Sequence, residues 1–589
     1  MTTSKTSSHL HKSLRVPQGV AAVRRLFRSS EAALVGLAIV LGIAAGVLTF
    51  ILNRGAHGLQ SLIYGLSGSS LSAASSVRPV SLLALPVGGL LLGVGSRAAA
   101  RRWRTPVDVV EANALHGGVI PLRDTILVCA QTLLSNGVGA SVGLEAAYAQ
   151  AGGGLSSVVG QWLRLRRADM RILLGAGAGA ALGAAFSAPL TGAFYAFEIV
   201  IGAYTPAAIA PVAAAALSAV LTARLLGLEP YLIALPGAQA ITTEDFLIYA
   251  ALGVVCSLIA IGIMRAVTFI EENVRALPLL DAWRPAVGGL LLIPLALVTP
   301  QTLSAGHGAL HLDLGVEVAL RFILLVFIVK ILASAVSLGF GFRGGLFFAS
   351  LFIGSLVGQL FAGVVAHING VPPIDPSDAA LIGMAAMAVA IVGGPMTMSL
   401  LVLETTHDFA LTSVAVTAGL CASTVVRETF GFSFSTWRMH TRGETIRSAR
   451  DIGWARTLTV GKMMQPAANS ASSDIAVSEF RRRFPLGSVP HVVLTENGDA
   501  YFGIVETSRA FEATVHPESP VGSLAEMRDV TLDPAENVRD AMKQFDSHGA
   551  DFLAVVSKEG EVVGTLSERF VHRRYSDELE KAQREMFGE

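Results

Sequence analysis

Charged residues are scarce in this chain. Lys, Arg, Asp and Glu make up 15% of its 589 residues, and 44 basic side chains cancel 44 acidic ones. A soluble chain carries nearer a quarter, so a water-facing globule of this length is excluded. The balanced charge says nothing about partners, and no nucleic-acid partner is expected. Cysteine is scarcer still: Cys129, Cys256 and Cys421 lie far apart in apolar surroundings. That spacing makes neither a metal site nor a disulfide framework, and all three read as packing residues.

What is abundant is apolar sequence, 52% of the chain, together with 60 glycines. Runs of bilayer-crossing length occupy residues 32–53, 79–98, 171–200, 206–228, 245–268, 318–340, 378–403 and 409–428. About 20 apolar residues cross a bilayer as a helix, so these runs predict membrane segments, with small residues at close helix contacts. Residues 1–29 carry Lys5, Lys12, Arg15, Arg24, Arg25 and Arg28 and no acid. The apolar run after them is too long for a cleaved leader. Arg438, Arg442, Arg447, Arg450 and Arg456 repeat the basic bias after the last run. By the positive-inside rule both termini are expected in the cytoplasm of a multi-pass cell-membrane protein.

Composition divides the chain into a basic arm at 1–29, a membrane domain at 30–437, a linker at 438–457 and a soluble tail at 458–589. The membrane domain repeats itself. Pro189-Leu190-Thr191 precedes Glu198 by six residues, and Pro395-Met396-Thr397 precedes Glu404 by six. Upstream stand Ser157-Val158-Val159-Gly160-Gln161 and Ser355-Leu356-Val357-Gly358-Gln359, and further upstream Gly143-Leu144-Glu145 and Gly345-Leu346-Phe347. Inverted repeats of this kind place a substrate site at the bilayer midplane, between broken helices. The expected fold is therefore an all-α polytopic domain with an internal inverted repeat, followed by an α/β tail. The tail also repeats. Val492-Val493-Leu494 with Gly503-Ile504-Val505, and Val555-Val556-Ser557 with Gly564-Thr565-Leu566, predict two strand pairs, with a helix over 536–547.

Glycine-rich turns from Ser135 to Gly143 and from Gly339 to Gly345 interrupt two apolar runs. Irregular backbone at membrane depth survives only where protein buries it or it lines a cavity. A helix beginning there turns free N–H groups and its positive dipole end inward. Two such starts would hold an anion weakly enough to release it, although glycine breaks also serve packing. Glu145 sits at one start, where an ionised carboxylate can occupy the anion's place. The plainer role is an N-terminal acid complementing the dipole. Glu198 and Glu404, matched across the repeat, suit a capping or ion-pair role. His307 and His311 are four apart near Asp313, but glycines flank His307 and no metal site follows. Gly175, Gly177, Gly179 and Gly183 lie within an apolar run and mark helix packing rather than a dinucleotide loop. No cofactor and no enzymatic activity are expected.

With these motifs in place, residues 30–440 resemble the CLC family of chloride channels and chloride/proton exchangers, and the tail resembles a pair of CBS modules. The family's G-[KR]-E-G-P signature stands as Gly143-Leu144-Glu145-Ala146-Ala147, its A-P-L-x-G as Ala188-Pro189-Leu190-Thr191-Gly192, and its G-x-F-x-P as Gly345-Leu346-Phe347-Phe348-Ala349. The resemblance implies a homodimer, each subunit with its own anion path. Chloride or a related small anion would bind at Gly143, Leu144, Gly345, Leu346, Phe347 and Phe348, and Glu145 would gate the path. The family's S-G-I-P-E turn aligns with Arg104-Thr105-Pro106-Val107-Asp108, which puts Arg104 where a coordinating hydroxyl is expected, unless Arg104 only extends the cytoplasmic cluster of Arg101 and Arg102. The late pore-lining tyrosine falls at Ser435. The inner proton-relay glutamate of the exchangers is Ile199 here, which favours passive conduction over proton-coupled exchange. A membrane sensor that no longer conducts, with the tail as its output, is the alternative of another class. The tail's Gly503-Ile504-Val505-Glu506-Thr507-Ser508-Arg509 and Gly564-Thr565-Leu566-Ser567-Glu568-Arg569-Phe570 lack the aspartate that holds a nucleotide's ribose. A structural role for the tail therefore stands beside nucleotide sensing.

Overall fold

The computed structural model describes residues 30–66, 71–228, 241–310, 319–441, 459–466, 469–571 and 573. The basic arm, Arg442, Arg447, Arg450 and Arg456 of the junction, and His311 with Asp313 lie outside the described residues. The chain divides into two compact units, Met1–Asp451 and Ile452–Glu589.

The first unit is helical. Its first half contains α1 (Glu31–Tyr64), α2 (Ala84–Arg102), α3 (Val109–Leu115), α4 (Leu122–Gly137), α5 (Glu145–Leu163), α6 (Arg167–Phe186), α7 (Pro189–Tyr195) and α8 (Pro206–Leu225). A π-helical turn, Ala196–Ile201, extends α7. The second half contains α9 (Thr243–Ala276), α10 (Arg284–Val298), α11 (Leu320–Gly339), α12 (Phe347–Val365), α13 (Pro376–Val392), α14 (Pro395–Thr406) and α15 (Phe409–Thr429), and α16 (Phe434–Thr441) follows. Among the described residues, eight helical segments are long and apolar enough to cross a membrane.

Helices of the two halves correspond in pairs among the described residues. The 34-residue α1 packs on α8, and the 34-residue α9 packs on α15. The 19-residue α5 crosses α6 at Gly152 and Gly177, where a Cβ on either would stand 2.1 or 2.4 Å from the other's carbonyl oxygen. The 19-residue α12 crosses α13 at Gly354 and Gly383, where the same distance is 2.4 Å both ways. Small residues let backbones approach this closely, and van der Waals contact then replaces the hydrophobic drive that lipid cannot supply. Gly143 and Gly345 exchange backbone hydrogen bonds of 3.0 and 3.4 Å in an antiparallel bridge, so the halves meet there in opposite directions.

That bridge sets an offset of 202 residues between α5 and α12, and it corrects one marker of the repeat. The two Ser-x-x-Gly-Gln runs are 198 apart, about one helical turn out of step, so Ser157 and Ser355 are not structural mates. Gly152 and Gly354 are. Helix faces repeat every turn, so a motif displaced by four residues still looks aligned in sequence.

Three expected spans also change. Residues 171–200 break at Ser187 (φ 56°), and residues 378–403 break at Gly393 (φ 80°) and Gly394 (φ 120°). In both, a left-handed residue is followed by proline at the first helical position, a stop and a restart. Apolar composition marks burial but not continuity. The run at 32–53 continues as helix to Tyr64, and within that extension Gln60 donates its Nε2 to Asn136 Oδ1 at 2.9 Å.

The second unit holds β1 (Ser470–Ser472), β2 (His491–Glu496) and β3 (Ala500–Glu506) in one sheet, and β4 (Phe552–Val556) with β5 (Val562–Ser567) in another. Both expected pairs are antiparallel hairpins, each with a register shift before its turn. β1, parallel to β2, was not expected, because three residues carry too little alternation to be read. The helix Val538–His548 lays Val538, Ala541 and Phe545 against Leu553, Val555 and Leu566.

Candidate pore at the junction of the repeats

The turns that open α5 and α12 use the same device. Gly139 (φ 91°) and Gly341 (φ 97°) are structural mates by the bridge offset, and each turns the chain through a conformation that favours glycine. The chain then returns through the Gly143–Gly345 bridge, and both helices start beside one another. Ser141 supports the joint, since its amide donates to the Ser337 hydroxyl oxygen at 3.0 Å and its own hydroxyl lies 3.1 Å from that of Ser334.

Glu145, the first residue of α5, is buried and reaches across the joint. Its Oε1 accepts the Phe348 amide of α12 at 3.0 Å. Its Oε2 is sealed from solvent and has no hydrogen-bond partner among the described residues. A carboxylate thus sits on the positive end of the opposite helix, where unpaired amides favour negative charge. The Leu346 and Phe347 amides have no acceptor among the described residues. Leu144 and Leu346 are buried immediately before the two helices. Phe348 is fully buried between Phe186, with ring centroids 5.9 Å apart, and His307, at 3.4 Å.

A cavity of about 150 Å³ opens beside Glu145. Gly345, Leu346 and Phe347 line it, as do Asp108, Gln150, Tyr195, Ile199, Arg343, Ser435 and Arg438. Ser435 and Ile199 also line the cavity. Arg104 does not. Its half-exposed guanidinium stands 3.6 Å from the carboxylate of Asp124, while Pro106 and Asp108 of the same turn reach the cavity. The reason is local: α2 ends at Arg102, Trp103 and Arg104 follow its basic last turn outward, and the chain turns inward only at Pro106.

Glu198 and Glu404 are exchanged helix caps. Glu198 accepts the Met396 amide (3.2 Å), the Thr397 amide (2.8 Å) and the Thr397 hydroxyl (2.7 Å) at the start of α14. Glu404 accepts the Leu190 amide (2.8 Å), the Thr191 amide (2.8 Å) and the Thr191 hydroxyl (2.7 Å) at the start of α7. Prolines 189 and 395 occupy the first position of each helix and carry no N–H, so each carboxylate takes the next two amides.

Sequence reasoning missed Tyr195, Asp108, Arg343 and Arg438 of the cavity wall, which come from four separate elements with no shared motif. It also missed Lys330, wholly buried on α11, whose Nζ donates to Ser304 O (2.8 Å) and Thr302 O (3.3 Å). That lysine pins the loop leading to His307. A lone lysine inside an apolar run was the available signal.

Helices broken at membrane depth, opposed across an inverted repeat beside a polar cavity, define a polytopic membrane transport protein. The family model described as voltage gated chloride channel matches residues 88–427, more than half of the chain, and this chain belongs to that family. A CBS domain model matches residues 521–569. The voltage-gated ClC-type chloride channel ClcB of Escherichia coli strain SMS-3-5 is 26% identical over 385 residues, covering 64% of this chain and 90% of that one. Among solved structures, a slow cyanobacterial Cl-/H+ antiporter superposes with a TM-score of 0.61 at 22% identity, covering 69% of this chain and 97% of its own. A eukaryotic CLC transporter superposes with a TM-score of 0.57 at 18% identity, covering 93% of this chain and 98% of its own.

Proposed function

We propose that this protein carries chloride or a related small anion across the cell membrane through the cavity beside Glu145, with the Glu145 carboxylate as the gate. The observation that supports this most is the Glu145 Oε1 contact with the Phe348 amide, made where two helix starts converge. The carboxylate holds the place an anion would take. Protonation removes its charge and with it the attraction to the amides of α12, so the side chain leaves and an anion enters. Gly143, Leu144, Gly345, Leu346, Phe347 and Phe348 supply the backbone of that place, and Ser435 a hydroxyl.

Passive conduction is the favoured mode. Ile199 lines the cavity where a proton-carrying acid would have to stand, and its neighbour Glu198 is committed to the start of α14. Proton-coupled exchange is the second reading, because Asp108 brings a carboxylate to the same cavity wall. The protein acts as a homodimer with both termini in the cytoplasm. Its arm (1–29), transport domain (30–437) and linker (438–457) precede a regulatory tail (458–589). At the positions of the missing ribose aspartates, Arg509 pairs with Glu526 and Phe570 packs against the apolar core. The tail therefore acts without a bound nucleotide, and titrating ATP into the full chain should release no binding heat.

Anion flux from proteoliposomes, with and without a proton gradient, tests the reading. Flux without proton movement is expected, and a fixed anion-to-proton ratio would select exchange through Asp108. Glu145→Gln should abolish the pH dependence of flux, and a pH profile identical to wild type would remove Glu145 as the gate. A chain that moves no anion under any gradient would return the sensor reading.

A further inference from the structure

Most polar groups on the cavity wall already have partners. Asp108 accepts the Glu111 amide at 2.8 Å as the cap of α3. Gln150 donates its Nε2 to Val107 O at 3.1 Å. Arg438 lies 3.7 Å from the Glu271 carboxylate. Tyr195 differs. It is 91% buried at the end of α7, its ring 6.3 Å from that of Phe347, and its surface lines the cavity. No described residue shares a hydrogen bond with its hydroxyl, and that oxygen is not among the sealed, unpartnered polar atoms. A phenol in such a place is costly unless something bonds to it, and phenylalanine would fill the same space without that cost. The partner must therefore come from the cavity.

The chemistry of that partner follows from the surroundings. Each of the two nearest carboxylates gives one oxygen to a helix start, Asp108 Oδ1 to α3 and Glu145 Oε1 to α12. The cavity wall also carries donors with no acceptor among the described residues: the Tyr195 O–H, the Ser435 hydroxyl and the Leu346 and Phe347 amides. About 150 Å³ holds roughly five water volumes, enough for a small anion with part of its hydration shell.

We infer that Tyr195 is a ligand of the transported anion, donating its phenolic hydrogen to a halide-sized ion held between α7 and the start of α12. The inference rests on the reading of the cavity as the anion path and assigns one of its binding groups. It also gives the π-helical turn a purpose. The turn begins at Ala196, directly after Tyr195, and Glu198 within it is tied to α14, so the segment that carries the phenol is fixed at its C-terminal side. A phenol offers one directed donor without a full charge, which keeps the ion exchangeable.

Tyr195→Phe removes only the hydroxyl and keeps the ring against Phe347. Calorimetric titration of chloride into the full-length protein should show about tenfold weaker binding in this variant, the scale of one hydrogen bond to a charged group. Glu145-dependent pH control of flux should persist. Crystals grown in bromide should place an anomalous peak within hydrogen-bond distance of Tyr195 Oη in the wild-type protein. If wild type binds chloride and Tyr195→Phe binds it equally well, or the bromide peak lies beyond reach of the hydroxyl, this inference fails and the anion path stands. If wild type neither binds nor moves an anion, the path itself fails.

Discussion

Replacing Glu404 by alanine tests whether the exchanged caps hold the two halves together. The start of α7 has few ways to satisfy its amides. Pro189 has none to offer, Gly192 bonds back to Ala188 O at 3.1 Å, and the Leu190 and Thr191 amides between them depend on Glu404. Alanine removes these two bonds and the 2.7 Å bond from the Thr191 hydroxyl. A hydrogen bond to a charged group contributes about 1.5–3 kcal/mol, and losing a helix cap costs about 0.5–2 kcal/mol. The bonds share one carboxylate, so they do not add. Glu404 and Leu190 are not fully buried, and water can replace part of what is lost. A net loss of about 3 kcal/mol follows. Glutamine keeps one acceptor oxygen and should lose about half of that. Glu198→Ala should match Glu404→Ala to within about 1 kcal/mol, because its carboxylate takes the same three groups at the start of α14. Only Glu198→Ala should also slow anion flux, since Ile199 beside it lines the cavity. Equilibrium unfolding of the purified protein in mixed micelles reads the stabilities. An alanine variant as stable as wild type would refute the capping account, and stabilities differing by several kcal/mol would refute its symmetry.

Two further outcomes follow from the geometry. Gly354→Ala places a Cβ 2.4 Å from Gly383 O and should force α12 and α13 apart, at about 1–3 kcal/mol, read as a lower unfolding midpoint in the same micelles. Arg104→Ser removes only a half-exposed partner of Asp124 and should leave chloride binding and flux at wild-type values, and a weakened affinity in calorimetry would restore Arg104 to the path.

Membrane residence, the repeat and the glycine-broken starts at Glu145 and Phe347 were legible in the sequence because each has a local cause. Bilayer thickness demands long apolar runs, and a turn at membrane depth demands glycine. The strand pairs of the tail were legible through alternation and their turns. The mutual capping of Glu198 and Glu404 was half legible: matched positions suggested a shared role, but nothing local says that each carboxylate serves the other half's helix, some 200 residues away.

Other features were decided only by the tertiary structure. Arg104 and Asp108 are four residues apart, yet one points outward to Asp124 and the other reaches the cavity, because the chain changes direction at Pro106. Tyr195 reads as one more aromatic in an apolar run until α7, α12 and α16 bring Phe347 and Ser435 to the same wall. Composition and periodicity report what a residue must avoid, which is water or an unpaired bond. They do not report what stands opposite it, and in a pore whose wall is drawn from distant elements, that determines which groups an anion meets.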